Sequence, residues 1–176
     1  MKIDWKKMDI RRLAAMVSAK LKENEIDALL VGGACVSIYT KNRYMSYDLD
    51  FVSYAPVKEI SPALEELGFK KKGSRHFIHK DCPLFVEFVS PPPAIGDEPV
   101  KEVERIRTED GTILLLTPTD CVKDRLAAFY HWNDPQALEQ ALMVAKEQKV
   151  NMQEVKRWSV KEGYEEKFKV FMKRLQ

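Results

Sequence analysis

The sequence is short of cysteine, of long apolar runs and of any surplus of one charge, and each shortage excludes a class of protein. Its three cysteines, Cys35, Cys82 and Cys121, are odd in number and widely spaced, and they form neither a C-x-x-C pair nor a Cys/His ligand pattern. They read as reduced, half-buried small hydrophobes rather than as a disulfide framework, a zinc site or a redox pair. The longest uncharged apolar stretches, residues 28–36 and 112–118, fall below half of the ~20 residues that a membrane-spanning helix needs. The first residues are basic but have no apolar core and small-residue site behind them, so no secretory signal is expected and the expected compartment is the cytoplasm. Lys and Arg number 29 against 27 Asp and Glu, a net charge of +2. That balance argues against bulk coating of nucleic acid and leaves room for a local basic patch.

What is present fits one folded unit. A chain of 176 residues that is 45% hydrophobic and 32% charged is too apolar for a disordered segment and too charged for a membrane protein, and its length suits one compact domain with a small helical appendage. Asp9 is placed to cap a first helix in which Ile10, Leu13, Ala14, Val17 and Leu21 recur at helical spacing, ending near Asn24. Residues 26–31 read as a buried strand stopped by Gly32-Gly33, and residues 34–40 as a helix starting off the glycines. In residues 48–54, Leu49 and Phe51 face one side of a strand, and Asp48 and Asp50 the other. Ser61-Pro62 resembles a cap followed by proline at the first helical position, which predicts a short helix over residues 62–67 ended by Gly68. A hairpin is expected around Gly73-Ser74, a strand over residues 84–89 interrupted by Glu87, an irregular proline loop over 91–99, and a last strand over 112–116. From Thr117 the texture is helical: one helix to Trp132, another over 136–148, and two short ones opened by the capping-box spacings Asn151/Glu154 and Ser159/Glu162. The division is an α/β part over residues 1–116 and a helical segment over 117–176 packed on it.

The chemistry lies in an ordered set: a strand ending in Gly32-Gly33, a strand carrying Asp48-x-Asp50, and a later strand carrying Glu87. Three acids in otherwise apolar strands repel one another and are poorly solvated, so something must compensate them. A divalent magnesium or manganese ion suits carboxylate oxygens and leaves positions open for water and phosphate. Glycine amides at a helix start, with no side chain in the way, can receive phosphate oxygens.

These residues resemble a known family. Residues 31–52, VGGACVSIYTKNRYMSYDLDFV, are similar to the nucleotidyltransferase superfamily signature, in which a Gly-Gly or Gly-Ser pair precedes an hDhDh strand, and VEFV at 86–89 resembles its third-carboxylate strand. The likeness spans roughly residues 26–142 and is particularly close to small bacterial and archaeal nucleotidyltransferase-like proteins, including the toxin halves of abortive-infection toxin-antitoxin systems. It implies a polymerase β-like fold of the α/β (α+β) class, a short mixed sheet flanked by helices with a helical C-terminal segment. It also implies binding of an NTP with Mg²⁺ or Mn²⁺, and transfer of a nucleoside monophosphate to a hydroxyl on tRNA, protein or a small molecule. By the same resemblance Asp48 and Asp50 hold metal, Glu87 is the general base or a further metal ligand, Gly32 and Gly33 hold phosphates, and Ser46 and Arg43 lie in the nucleotide-binding segment. Arg125 in PTDCVKDRLAAF faces the triphosphate, with Lys123 as the alternative, and an antitoxin partner is implied. Three positions depart from the pattern: Ala34 follows the glycines where Ser or Thr is common, Arg43 is one residue out of register, and Glu87 replaces Asp. Ala34 and the shifted Arg43 favour the alternative of a degenerate nucleotide- or RNA-binding member acting as a sensor or toxin-antitoxin component.

Other features carry two readings each. Lys70, Lys71, Lys72, Arg75 and Lys80, with His76 and His79, either grip a nucleic-acid or phosphate-bearing acceptor near the sheet edge or keep an edge strand from pairing. His131-Trp132 and the aromatics Phe129 and Tyr130 read as packing, Asp124 and Glu139 as solvated helix charges, and Trp158, Phe168 and Phe171 as anchors of the terminal helices.

Overall fold

A computed structural model describes residues 2–176. The Asp9 side chain accepts from the backbone N–H groups of Arg11 and Arg12 at 2.9 and 3.1 Å, opening the first helix, α1 (Ile10–Glu23), which buries the face that its spacing predicts. There follow β1 (Leu29–Val31), α2 (Gly33–Tyr39), β2 (Asp48–Val52), α3 (Val57–Glu66), β3 (Lys70–Lys72), β4 (His76–Ile78) and β5 (Phe85–Val89). A small arm of β6 (Ala94–Ile95) and β7 (Glu98–Pro99) leads to the hairpin β8 (Val103–Thr108) and β9 (Gly111–Leu116). The chain ends in α4 (Pro118–Trp132), α5 (Pro135–Glu147), α6 (Met152–Lys161) and α7 (Glu165–Leu175).

Among the described residues, seven strands form one mixed sheet in the order β3-β4-β5-β2-β1-β9-β8. The pairs β1/β9 and β2/β5 are parallel and the others antiparallel. One face buries Leu30, Leu49, Phe51, Phe77, Val86, Phe88 and Leu115 against α1–α3. On that face Phe88 lies 5.9 Å from Phe51 and 5.8 Å from Phe77, ring centre to ring centre, so aromatic packing ties β5 to both of its neighbours. The opposite face carries the acids. A single buried cluster runs from Met8 through Leu116 to Leu126, Trp158 and Phe171, so α4–α7 share a core with the sheet. This is the mixed α+β architecture expected, a sheet flanked by helices with a helical C-terminal segment. No helix among the described residues is long and apolar enough to cross a membrane.

Several local expectations are corrected. The first strand is only Leu29–Val31. The helix expected over 62–67 begins at Val57 after Pro56, and Pro62 lies inside it. Ser61 is no cap: its hydroxyl donates to the Val57 carbonyl at 2.8 Å. Burial of Ile60, Ala63 and Leu64 offsets the one backbone hydrogen bond that Pro62 cannot donate. Ser159 opens no helix either; it is buried in α6 between the Val155 carbonyl and the Tyr130 hydroxyl, and α7 starts after Gly163. The proline loop contains the β6/β7 arm, whose Ile95 carbonyl accepts from the buried Trp158 indole at 3.2 Å. β8 is an additional strand: its sequence VERIRT carries no apolar alternation, and only Ile106 packs against the core. Trp132 is 81% exposed rather than packed, while Tyr130, Trp158, Phe168 and Phe171 are buried. Cys35 and Cys121 are fully buried and Cys82 partly so; burial pushes the Cys35 thiol up to about 12, which suits a hydrophobe rather than a nucleophile.

Candidate active site

Side chains along Asp48–Phe51 of β2 alternate. Leu49 and Phe51 are fully buried on the helix-covered face, which turns Asp48 and Asp50 to the other. The parallel register sets Asp50 opposite Glu87 and Asp48 opposite Phe85. One carboxylate oxygen from each of Asp48, Asp50 and Glu87 lies within 4.8 Å of the other two, and all three residues are half-buried. At an effective dielectric of ~20, unit charges that far apart repel by roughly 3–4 kcal/mol per pair. Burial first, then Asp48 and Glu87, push the Asp50 carboxyl up to about 7.

Gly32 and Gly33 close the site on the β1 side. Gly32 has φ +71°, and a Cβ there would stand 2.8 Å from Asp50 Oδ2. A Cβ on Gly33 would stand 3.2 Å from the Ser46 hydroxyl oxygen. The backbone therefore passes the carboxylates at a distance only glycine permits. Ser46 is nearly buried; its N–H donates to Ser37 Oγ at 2.9 Å and its hydroxyl donates to Asp48 Oδ1 at 2.7 Å, fixing that carboxylate.

The basic candidates separate. Arg125 comes near enough to lower the Asp50 pKa, yet its Nε donates to Asp124 at 3.0 Å and its Nη1 to the buried Gln140 at 3.2 Å. Lys123 turns away into a cleft of about 790 Å³ between the β7 arm, the start of α4 and α6, where it lies 3.2 Å from Asp120 and 3.3 Å from Glu154. Arg43 is exposed and paired with Glu147. His79 stacks on Trp5 at 4.2 Å.

Some residues beside the site escaped the sequence. Asp124, expected to be a solvated charge, instead pairs with Arg125 and lines an apolar trough of about 210 Å³ with Val31, Val52, Val89, Pro93 and Leu116. Val52 and Val89 follow Asp50 and Glu87 by two positions, so the trough continues the acidic face. The juxtaposition of Asp124 and Gln140 through Arg125 joins two helices and has no sequence signal.

The donor set fits a divalent cation. It offers three hard oxygen donors from two adjacent strands, one of them destabilised in its charged form by burial and by the other two.

No protein-family model matches the sequence, and no curated protein is significantly similar to it. Solved structures do resemble it. An antigenic nucleotidyltransferase-like protein from Paracoccidioides brasiliensis superposes with a TM-score of 0.59 over 78% of this chain and 75% of that one, at 13% identity. ANT(2'')-Ia in complex with adenylyl-2''-tobramycin superposes with a TM-score of 0.53 over 95% of this chain and 98% of that one, at 11% identity. The solution structure of the antibiotic-resistance factor ANT(2'')-Ia gives 0.51 over 94% of each chain, at 12% identity. At such identities the likeness is one of fold alone: this chain has a nucleotidyltransferase-like fold.

Proposed function

We propose that the protein binds a nucleoside triphosphate together with Mg²⁺ or Mn²⁺ and transfers the nucleoside monophosphate to a hydroxyl group of an acceptor. The observation that most supports this reading is the convergence of Asp48, Asp50 and Glu87 within 4.8 Å of one another, against a glycine pair that leaves no side chain in front of them. Asp48 and Asp50 hold the cation, with Ser46 keeping Asp48 in place. When bound, the cation supplies counter-charge to the carboxylates and the triphosphate and polarises the α-phosphoryl group. Gly32 and Gly33 let phosphate oxygens approach the backbone, and the trough beside Val31 and Val89 offers a base an apolar wall. The acceptor oxygen bonds to the α-phosphorus as the bridging P–O bond breaks and pyrophosphate leaves. Glu87, on the far side of Asp50 from the glycines, accepts the hydroxyl proton or completes the ligand set. Titration calorimetry with each Mg·NTP tests this: the wild-type chain binds at least one, and Asp50→Asn loses that binding while keeping its fold. Equal affinity in the variant would overturn the reading.

A second reading, a nucleotide- or RNA-binding member without turnover, acting as a sensor or toxin-antitoxin component, is favoured by the engagement of Arg125 with Asp124 and Gln140 and by Ala34, which offers no hydroxyl. Radiolabelled NTPs incubated with tRNA, protein and small-molecule acceptors separate the two, since incorporation into any of them rejects the inactive one.

A further inference from the structure

The registers define one row across the acidic face. Val31, the neighbour of Gly32, stands opposite Asp50, Asp50 opposite Glu87, Glu87 opposite His76, and His76 opposite Lys72. Partners in a ladder share a face, so the row runs from the glycines through the carboxylates to an imidazole and a lysine. Phe85, two positions before Glu87 and opposite Asp48, lies on the same face. Its ring is 4.6 Å from that of His76, tilted by 38°, and both side chains are half-exposed. An aromatic pair is thus set beside two of the three carboxylates.

Cations surround it. Lys70 and Lys72 share the His76 side of the exposed edge strand β3, and the exposed Lys80 follows β4. Arg75 alternates with His76 and so belongs to the other side of β4, where it donates to Ser90 at 2.6 Å. Between residues 69 and 83 there are five cations, Lys70, Lys71, Lys72, Arg75 and Lys80, and one acid, Asp81, which lies 4.0 Å from Lys80. Lysines also deter strand addition at a sheet edge. That role is indifferent to what stands beside them, and it does not call for aromatic rings level with the acids. Aromatic faces interleaved with cations are the chemistry that holds single-stranded nucleic acid: rings take bases by stacking, and cations track the backbone.

We propose that the acceptor is a single-stranded nucleic-acid end, with its terminal base on the His76–Phe85 pair, its phosphates along Lys70 and Lys72, and its terminal hydroxyl at Glu87. The last clause rests on the nucleotidyl-transfer reading. In that step the terminal hydroxyl oxygen bonds to the α-phosphorus of the NTP, its proton passes to Glu87, pyrophosphate leaves, and the strand grows by one nucleotide. An acceptor of this kind is anionic, unlike a cationic amino sugar, and it approaches from the side opposite the glycines, so strand and triphosphate do not compete for space.

The test is fluorescence anisotropy of labelled oligouridylate and oligothymidylate titrated with the full chain at two salt concentrations, without NTP. Both strands, or the one with the correct sugar, bind and weaken as salt rises. Lys70→Glu with Lys72→Glu weakens binding by ~10-fold or more and flattens the salt dependence. His76→Ala and Phe85→Leu each weaken it by roughly 5–10-fold while leaving the salt slope unchanged. Thermal melts identify any variant that fails to fold, and the charge-reversed hairpin, altered only at exposed positions, keeps the test decisive. Absence of binding to either strand, or affinity unchanged in the charge-reversed and His76 variants, overturns the proposal. Because no nucleotide is present, strand binding retained in a chain that fails to bind Mg·NTP sinks the transfer reading alone, whereas NTP binding without strand binding sinks this inference alone.

Discussion

Asp50 and Glu87 are direct partners on adjacent parallel strands, both facing the side of the sheet that α1–α3 leave uncovered. Their opposition places two carboxylates side by side at the middle of a seven-stranded sheet, and burial together with the neighbouring acids pushes the Asp50 carboxyl up.

The first consequence is a pH dependence of a defined sign. The unfolded chain ionises Asp50 near 3.8, while the fold holds the proton up to about 7. Between those values the folded state binds more protons, so stability falls as pH rises, and the penalty is complete above about pH 7. Asp50→Asn is expected to be more stable than the wild-type chain by on the order of 2 kcal/mol near pH ~8, with the advantage gone near pH ~4. Calorimetric melts at the two pH values check this. Mn²⁺ should raise the wild-type Tm more at the higher pH, where protons no longer compete for the carboxylate, and leave the variant's Tm unchanged.

Gly32→Ala should damage both fold and site. Alanine is strained at φ +71°, and its Cβ would meet Asp50 Oδ2 at 2.8 Å. A loss of about 1–2 kcal/mol in urea denaturation is expected, together with loss of Mg·NTP binding by calorimetry. Gly33→Ala, whose Cβ meets a serine hydroxyl at 3.2 Å, should be milder on both counts.

Lys123 belongs to stability. Its side chain is 6% exposed, between Asp120 and Glu154 and over the Trp158 ring. Truncation leaves Asp120 in the interior without its cation, so Lys123→Ala should cost roughly 3 kcal/mol near neutral pH and less in acid, where the carboxyl takes up a proton. Affinity for Mg·NTP should be unchanged, and a loss of binding in the folded variant would return Lys123 to the nucleotide site.

The Arg157 cluster sets a separate acid response. Hydrogen bonds from Arg157 are the leading cause that holds Glu98 and Glu154 down at about 2. Their contribution is therefore present above about pH 4.5 and is lost as pH falls toward 2. Arg157→Gln should lower the Tm slightly at neutral pH and not at all near pH ~2, with the difference shrinking in high salt.

Helix starts were legible wherever a side chain can satisfy the first backbone N–H groups. Asp9, Thr117 and Asn151 all accept from the amides expected of a cap. Ser61 and Ser159 carry the same local pattern but lie inside helices, because each hydroxyl donates backward to the carbonyl four residues before it. β8 was hidden by its charge, and Asp124 by its dependence on Arg125 and Gln140, which packing of α4 against α5 brings together.

Local sequence was enough to turn Asp48 and Asp50 to one face, since side chains alternate along any strand, and to put glycines where the chain must pass close by. It did not choose the neighbours of β2. That choice was made by long-range burial: Phe51, Phe88 and Phe77 pack together on the hidden face, and their packing sets the register that brings Glu87 opposite Asp50 and His76 opposite Glu87 on the open one. The period of a strand decides which face a side chain occupies, and only the tertiary core decides what stands beside it.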